Sequence, residues 1–206
     1  MADVNANLIR ELREKTGAGV MDCKKALAES KGDLQKAVEW LTEQGVAQAA
    51  KRADRVASEG AIGSYIHAGG KLGVLVEVNC ESDFVAKTPE FQSLVKEIAM
   101  QIAALNPRCI RRQDVPEEVI RQEREIYVSQ SAGKPQQIVD KIVEGKLEKF
   151  FRDVCLMEQG YVRQPEKTVT EMLGEYSVKV KEKIEIRRFV RFQLGETTAA
   201  QKSAAA

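Results

Sequence analysis

The stretch LGVLVEVNC, residues 72–80, alternates strictly, with Leu72, Val74, Val76 and Val78 on one side and Gly73, Leu75, Glu77 and Asn79 on the other. A period of two marks a half-buried strand, because successive side chains point to opposite faces. Gly69-Gly70 just before it supplies the turn of a hairpin, with Ile62–His67 as the partner strand. Near the C-terminus KIEIRRFVRFQLG alternates again, placing Ile184, Ile186, Val190, Phe192 and Leu194 on one side, and predicts a third strand beside the hairpin. Most of the remaining apolar residues recur at helical spacing. A small antiparallel sheet packed with helices, an α+β fold, is the expected result.

Three short helices are predicted across residues 4–45. The first carries Leu8, Ile9 and Leu12 and ends at Gly17; the second runs from Val20 with Cys23, Ala26 and Leu27 on one stripe. The third starts after Asp33, a plausible N-cap, carries Leu34, Ala37, Val38 and Leu41, and stops at Gly45. Residues 46–59, alanine-rich and charged, predict a helical linker, and residues 60–196 form the core domain. Within that core Thr88-Pro89-Glu90 is a helix start, a capping hydroxyl followed by proline and an acid, and Asn106-Pro107 is its stop. Pro116 and Pro135 open two further helices, the second placing Ile138, Ile142, Phe150 and Val154 for packing. Residues 197–206, without periodicity, read as a disordered tail.

Composition narrows the function classes. In 206 residues, 32 basic and 31 acidic side chains nearly cancel to a net charge of +1, so bulk charge makes no case for nucleic acid or a membrane surface. No stretch approaches the ~20 apolar residues needed to span a bilayer. The start, MADVNANLIRELREK, is charged and amphipathic, unlike a secretory leader, and a cytoplasmic setting is expected, or an organelle matrix if a transit peptide has been removed. Cysteines at 23, 80, 109 and 155 are too scattered along the chain for a zinc motif or a redox pair. There is one histidine, His67, no Walker loop around the Thr16–Gly19 turn, and no nucleophile elbow in GSYIH. No active site assembles, and neither an enzyme nor a resident cofactor or metal is expected.

Longer sequence words are more specific. LREKTGAGVMDCKKAL (12–27) and VEVNCESDFVAK (76–87) closely resemble the two signatures of the elongation factor Ts family, the guanine-nucleotide exchange factors of EF-Tu. GKPQQIVDKIVEGKLEKF (133–150) and the RFQLGE ending are similar to later landmarks, so the likeness spans residues 4 to about 196. The resemblance implies a ubiquitin-associated-like (UBA-like) three-helix domain over 1–45, then a linker and a sheet-and-helix core. The chain departs from the family in two ways. Ser82 stands where the family usually has threonine and retains a hydroxyl able to cap the following turn, and the length suits one core subdomain where long members carry two. This short single-core form implies a homodimer.

What the resemblance implies about the site is residue-specific. Ser82, Asp83, Phe84 and Val85 would form the tip that disturbs the magnesium and phosphate site of EF-Tu. Arg13, Gly17, Gly19, Val20, Met21 and Lys24 would dock on its G domain, and His67 would contact it from the core. Spacing alone favours plainer roles: Val20 and Met21 in the bundle core, Lys24 a solvated charge, Phe84 in the core and Asp83 a helix cap. The resemblance reverses this for Met21, Lys24, Asp83 and Phe84, and leaves Val20 and His67 open. The expected partner is EF-Tu, GDP-bound or nucleotide-free, without direct contact to nucleic acid or membrane. The rival reading is a non-catalytic adaptor whose three-helix module binds ubiquitin-like or other proteins.

Overall fold

The computed structural model describes residues 5–52, 54–133 and 135–196; the tail expected at 197–206 lies outside them. The elements run α1 (Ala6–Thr16), α2 (Val20–Glu29), α3 (Leu34–Lys51), β1 (Glu59–Ile66), β2 (Leu72–Cys80), α4 (Asp83–Ala86) and α5 (Pro89–Leu105). They continue with α6 (Glu117–Ser129), α7 (Gln136–Val154), β3 (Gly160–Tyr161), β4 (Gln164–Thr168), α8 (Val169–Val180) and β5 (Glu185–Gln193). The fold is α+β, with a three-stranded antiparallel sheet in the order β1-β2-β5 and a separate two-stranded pair, β3-β4. The chain divides into two compact units. One gathers the chain up to Gly60 with Asn79–Thr88 and Glu171–Glu185; the other gathers Ala61–Val78, Pro89–Thr170 and the chain from Ile186.

In the first unit the helical stripes of α1, α2 and α3 converge. Leu12, Cys23, Ala26, Leu27, Ala37 and Leu41 are buried together, with Leu8, Ile9, Leu34 and Val38 packed on them. Asp33 caps α3 as expected, its Oδ1 accepting from the Lys36 N–H at 3.1 Å. The turn after α1 needs Gly17, whose φ of 67° lies in the left-handed region and whose N–H closes onto the Arg13 carbonyl. α3 does not stop at Gly45 but continues to Lys51. One interior glycine costs about 1 kcal/mol, and the alanine-rich run that follows it favours propagation. Of the helical linker expected at 46–59, helix extends as far as Lys51 among the described residues, and the Arg55 N–H donates to the Arg52 carbonyl.

In the second unit Val74, Val76 and Val78 are buried on one side of β2, as alternation requires, and so are Phe91, Leu94, Val95, Ile98 and Ile102 of α5. Gly63 on β1 permits a close approach: a Cβ there would stand 2.3 Å from Val95 Cγ1. Gln101, only 1% exposed, has its amide satisfied between the Gly160 carbonyl at 3.0 Å and the Val162 N–H at 2.8 Å. Helices α6 and α7 pair, and Phe150 and Val154 pack as expected, but the first half of α7 buries a different stripe. Val139, Val143, Leu147, Phe150 and Val154 are buried, whereas Ile138 is exposed and Ile142 half-buried. Two adjacent apolar stripes compete on α7, and the neighbouring Ile120, Tyr127 and Phe151 lie against the one at 139–143–147.

Scatter along the chain conceals one proximity among the cysteines. All four are free, yet Cys109 and Cys155 meet through a backbone bridge with their sulfurs 3.5 Å apart. Burial pushes the Cys155 thiol up to about 12. Distance along the chain was no guide to proximity.

The third strand forms, but its apolar stripe faces outward. Ile186 is buried, whereas Val190, Phe192 and Leu194 are exposed. The Leu194 N–H donates to the Lys71 carbonyl at 2.8 Å and Arg188 pairs with Glu77 at 2.6 Å, which fixes one antiparallel register of β5 on β2. The His67 N–H donating to the Leu72 carbonyl sets the register of β1. In that register Ile62, Ile66, Leu75, Val190 and Phe192 share the outer face, all exposed, with Ile66 lying over Gly73.

Candidate partner-binding site

Two groups of candidate residues fall within the first unit. In the first group, Gly17 ends α1 and Gly19 precedes α2 as its N-cap residue, so the Thr16–Gly19 turn aims the first turn of α2. That turn carries Val20 and Met21 outward: Met21 is 73% exposed and Val20 half-exposed, so neither belongs to the bundle core. Arg13 and Lys24 are exposed as well. The interior of α2 is formed by Cys23, Ala26 and Leu27 instead.

In the second group, β2 ends at Cys80 and the chain turns at once into the four-residue α4. Ser82, not Asp83, is the cap, its Oγ accepting from the Val85 N–H at 3.3 Å. Serine therefore supplies the capping oxygen that a threonine would. A helix this short is not stable alone, and its residues split by direction. Val85 and Ala86 are buried, while Phe84 is 78% exposed and Asp83 exposed beside it. Val85, grouped with the tip on sequence grounds, thus anchors it from the inside. Asp83 forms an ion pair with Lys87 one turn on, at 2.6 Å, and this hydrogen bond holds its carboxyl below the usual carboxylate range. The ion pair is fully exposed and screened by solvent.

A side chain that sequence reasoning missed fastens the tip. The Glu182 carboxylate accepts from the backbone N–H groups of Glu81 and Ser82, each at 3.0 Å, and from the Ser82 hydroxyl at 2.5 Å. Glu81 returns the contact, accepting from the Lys183 N–H at 2.6 Å, and Arg55 reaches the same carboxylate at 3.3 Å. The residues just before Glu182 lie along the other group: the Lys179 side chain sits 3.5 Å from where a Gly17 Cβ would be, and Lys181 Nζ is 4.0 Å from that of Gly19. No local pattern marks Glu182, which is 100 residues from Ser82 in sequence.

His67 belongs to the second unit, at the hairpin turn, exposed, with its Nδ1 2.9 Å from the Tyr65 hydroxyl. Among the described residues no cluster of three or more His, Cys, Asp or Glu side chains could hold a metal ion, and no helix is long and apolar enough to cross a membrane.

A scan against protein families places the chain among the translation elongation factors. The model described as Elongation factor TS matches residues 4–196, and the chain belongs to the elongation factor Ts family. It is 59% identical to Elongation factor Ts of Thermoanaerobacter sp. (strain X514) over 195 residues, covering 94% of this chain and 96% of that one. It is 55% identical over 201 residues to the protein of that name from Carboxydothermus hydrogenoformans, covering 97% of this chain and 93% of that one. With Elongation factor Ts of Geobacter sulfurreducens it shares 52% identity over 202 residues, covering 97% of this chain and 94% of that one. These relatives are of about the same length, so the short form is common to them.

Proposed function

We propose that this protein is the guanine-nucleotide exchange factor of EF-Tu, acting by contact and making or breaking no covalent bond. The observation that carries the reading is Phe84, an aromatic ring left 78% exposed on a tip whose neighbours are capped, buried and hydrogen-bonded. Family membership supplies the partner; the exposure of Phe84, Asp83 and Met21 supports these residues as the contact. Val20 and Met21 offer apolar surface, and methionine adapts well to a partner face. Arg13 and Lys24 add charges able to meet acidic groups. An adaptor built on the three-helix module alone would leave the Asp83–Phe84 tip without a role.

Thermodynamics shapes the mechanism. A nucleotide held at nanomolar affinity is bound by about 12 kcal/mol. The factor adds no driving force of its own; it binds the empty partner better than the filled one and weakens nucleotide by the factor by which nucleotide weakens it. Release is fast because, in the ternary complex, Phe84 wedges into the partner near its magnesium and phosphate ligands. Asp83, which can exchange Lys87 for partner donors, helps to shift those ligands. GTP then captures the empty partner and expels the factor. The test is stopped-flow release of labelled GDP from EF-Tu with and without this protein: a rate independent of its concentration refutes the reading.

The outer face of the sheet supports a homodimer as the working form. Ile62, Ile66, Leu75, Val190, Phe192 and Leu194 make an apolar surface on the second unit, of a kind that marks interaction sites on soluble proteins. A second copy offers the same surface, self-complementary about a twofold axis. His67, at the end of the adjacent hairpin, is proposed as a minor contact of the core with EF-Tu.

A further inference from the structure

We infer that Glu182 is a positioning residue for nucleotide exchange, fixing the backbone at Glu81 and Ser82 so that the tip presents Phe84 in one orientation before the partner arrives. The inference rests on the exchange reading above and extends it to a residue outside the tip that acts through the tip's backbone. Three donors converge on one half-buried carboxylate: two successive N–H groups and a hydroxyl. Hydrogen bonds to an ionised acceptor are roughly twice as strong as neutral ones. They act on the residues immediately before α4, where the strand ends and the chain chooses its direction. Ser82 is used twice, donating to Glu182 and accepting from the Val85 N–H, so the carboxylate also orients the cap of the helix that bears Phe84.

The chain around Glu182 is shaped to deliver it. α8 ends at Val180, and Lys181 takes a left-handed φ of 61°, a conformation that L side chains adopt only at a cost. The Ser177 hydroxyl donates to the Glu182 carbonyl and holds that reversal. The reciprocal bond from the Lys183 N–H to Glu81 locks the two segments in both directions. A wedge on an unfixed four-residue helix would have to be ordered during binding; one held beforehand spends its contact on the partner's ligand site.

The test compares the parent with Glu182→Ala and Glu182→Gln in two measurements. The first is stopped-flow GDP release from EF-Tu across factor concentrations, giving a limiting rate and a half-saturating concentration. The second is hydrogen exchange at the Glu81 and Ser82 amides of the free factor. Glu182→Ala is expected to speed exchange at both amides and to lower the limiting rate by about tenfold each, the scale of a lost charge-assisted bond. The half-saturating concentration should move less than about threefold, because docking through Met21 is untouched. Glu182→Gln keeps an acceptor for the amides and should recover to within about threefold of the parent. If Glu182→Ala does not fold, Glu182→Asp, one methylene shorter, carries both measurements, with a limiting rate several-fold below the parent expected. Unchanged amide protection, or faster amide exchange with an unchanged limiting rate, overturns the inference while the exchange reading stands. If the parent itself does not accelerate GDP release, the exchange reading fails and the role of Glu182 in it fails too.

Discussion

Replacing Phe84 by alanine separates a wedge from a structural ring. Full burial of a phenylalanine side chain contributes about 1.5–3 kcal/mol. Because the ring is 78% exposed in the free protein, about 1.2–2.3 kcal/mol of that remains to be gained on contact, and little is lost by truncation in the unbound state. At 1.4 kcal/mol per factor of ten, that range is about seven- to fiftyfold. If the ring is buried in the partner mainly as nucleotide leaves, the loss falls on the limiting rate of stimulated GDP release. It should fall far less on complex formation with nucleotide-free EF-Tu. The melting temperature of Phe84→Ala should match the parent, since neither the cap on Ser82 nor the burial of Val85 involves the ring. The assay is stopped-flow release of labelled GDP over a range of factor concentrations, beside a thermal melt. A variant that melts like the parent and stimulates release equally well would show that the tip does not act as a wedge.

Met21→Ala should do the reverse. With 73% of the side chain exposed, about 1–2 kcal/mol of docking contact is at stake, so the half-saturating concentration rises about five- to thirtyfold at an unchanged limiting rate. Phe192→Glu places a charge in the outer sheet face, where Phe192 is 67% exposed, and should convert a dimer to a monomer by light scattering at micromolar concentration; a monomeric parent would refute the dimer. Alkaline pH should destabilise the fold. Burial raises Cys155 to about 12, and burial with a hydrogen bond to Glu97 raises Tyr161 to about 12. Between the ordinary values of 9.0 and 10.0 for these groups and about 12, the unfolded chain binds fewer protons than the folded one. Stability is therefore full below pH 9 and declines as pH rises toward 12, which urea midpoints at pH 7, 9 and 10.5 would follow; a midpoint independent of pH contradicts it.

What the sequence could and could not reveal follows from the range of the forces involved. Caps and turns are local, so Asp33, Gly17 and the Thr88-Pro89 start could be read directly. Periodicity tells which residues share a face, but which face is covered depends on other elements. Val190, Phe192 and Leu194 were grouped correctly, but alternation could not say that their side would be left exposed, and on α7 the stripe of Ile138 and Ile142 gave way to its neighbour for the same reason. Phe84 poses that problem at a single residue: aromatic character favours the interior, and only the direction of α4 decides otherwise. That direction is set by the cap at Ser82, which was legible, and by Glu182, which was not, because the bond spans 100 residues and a glutamate carries no mark of the partner it will find. Family words could single out the tip because its residues lie within one of them. The side chain that aims those residues need leave no such word, and its role emerges only when the two segments lie side by side.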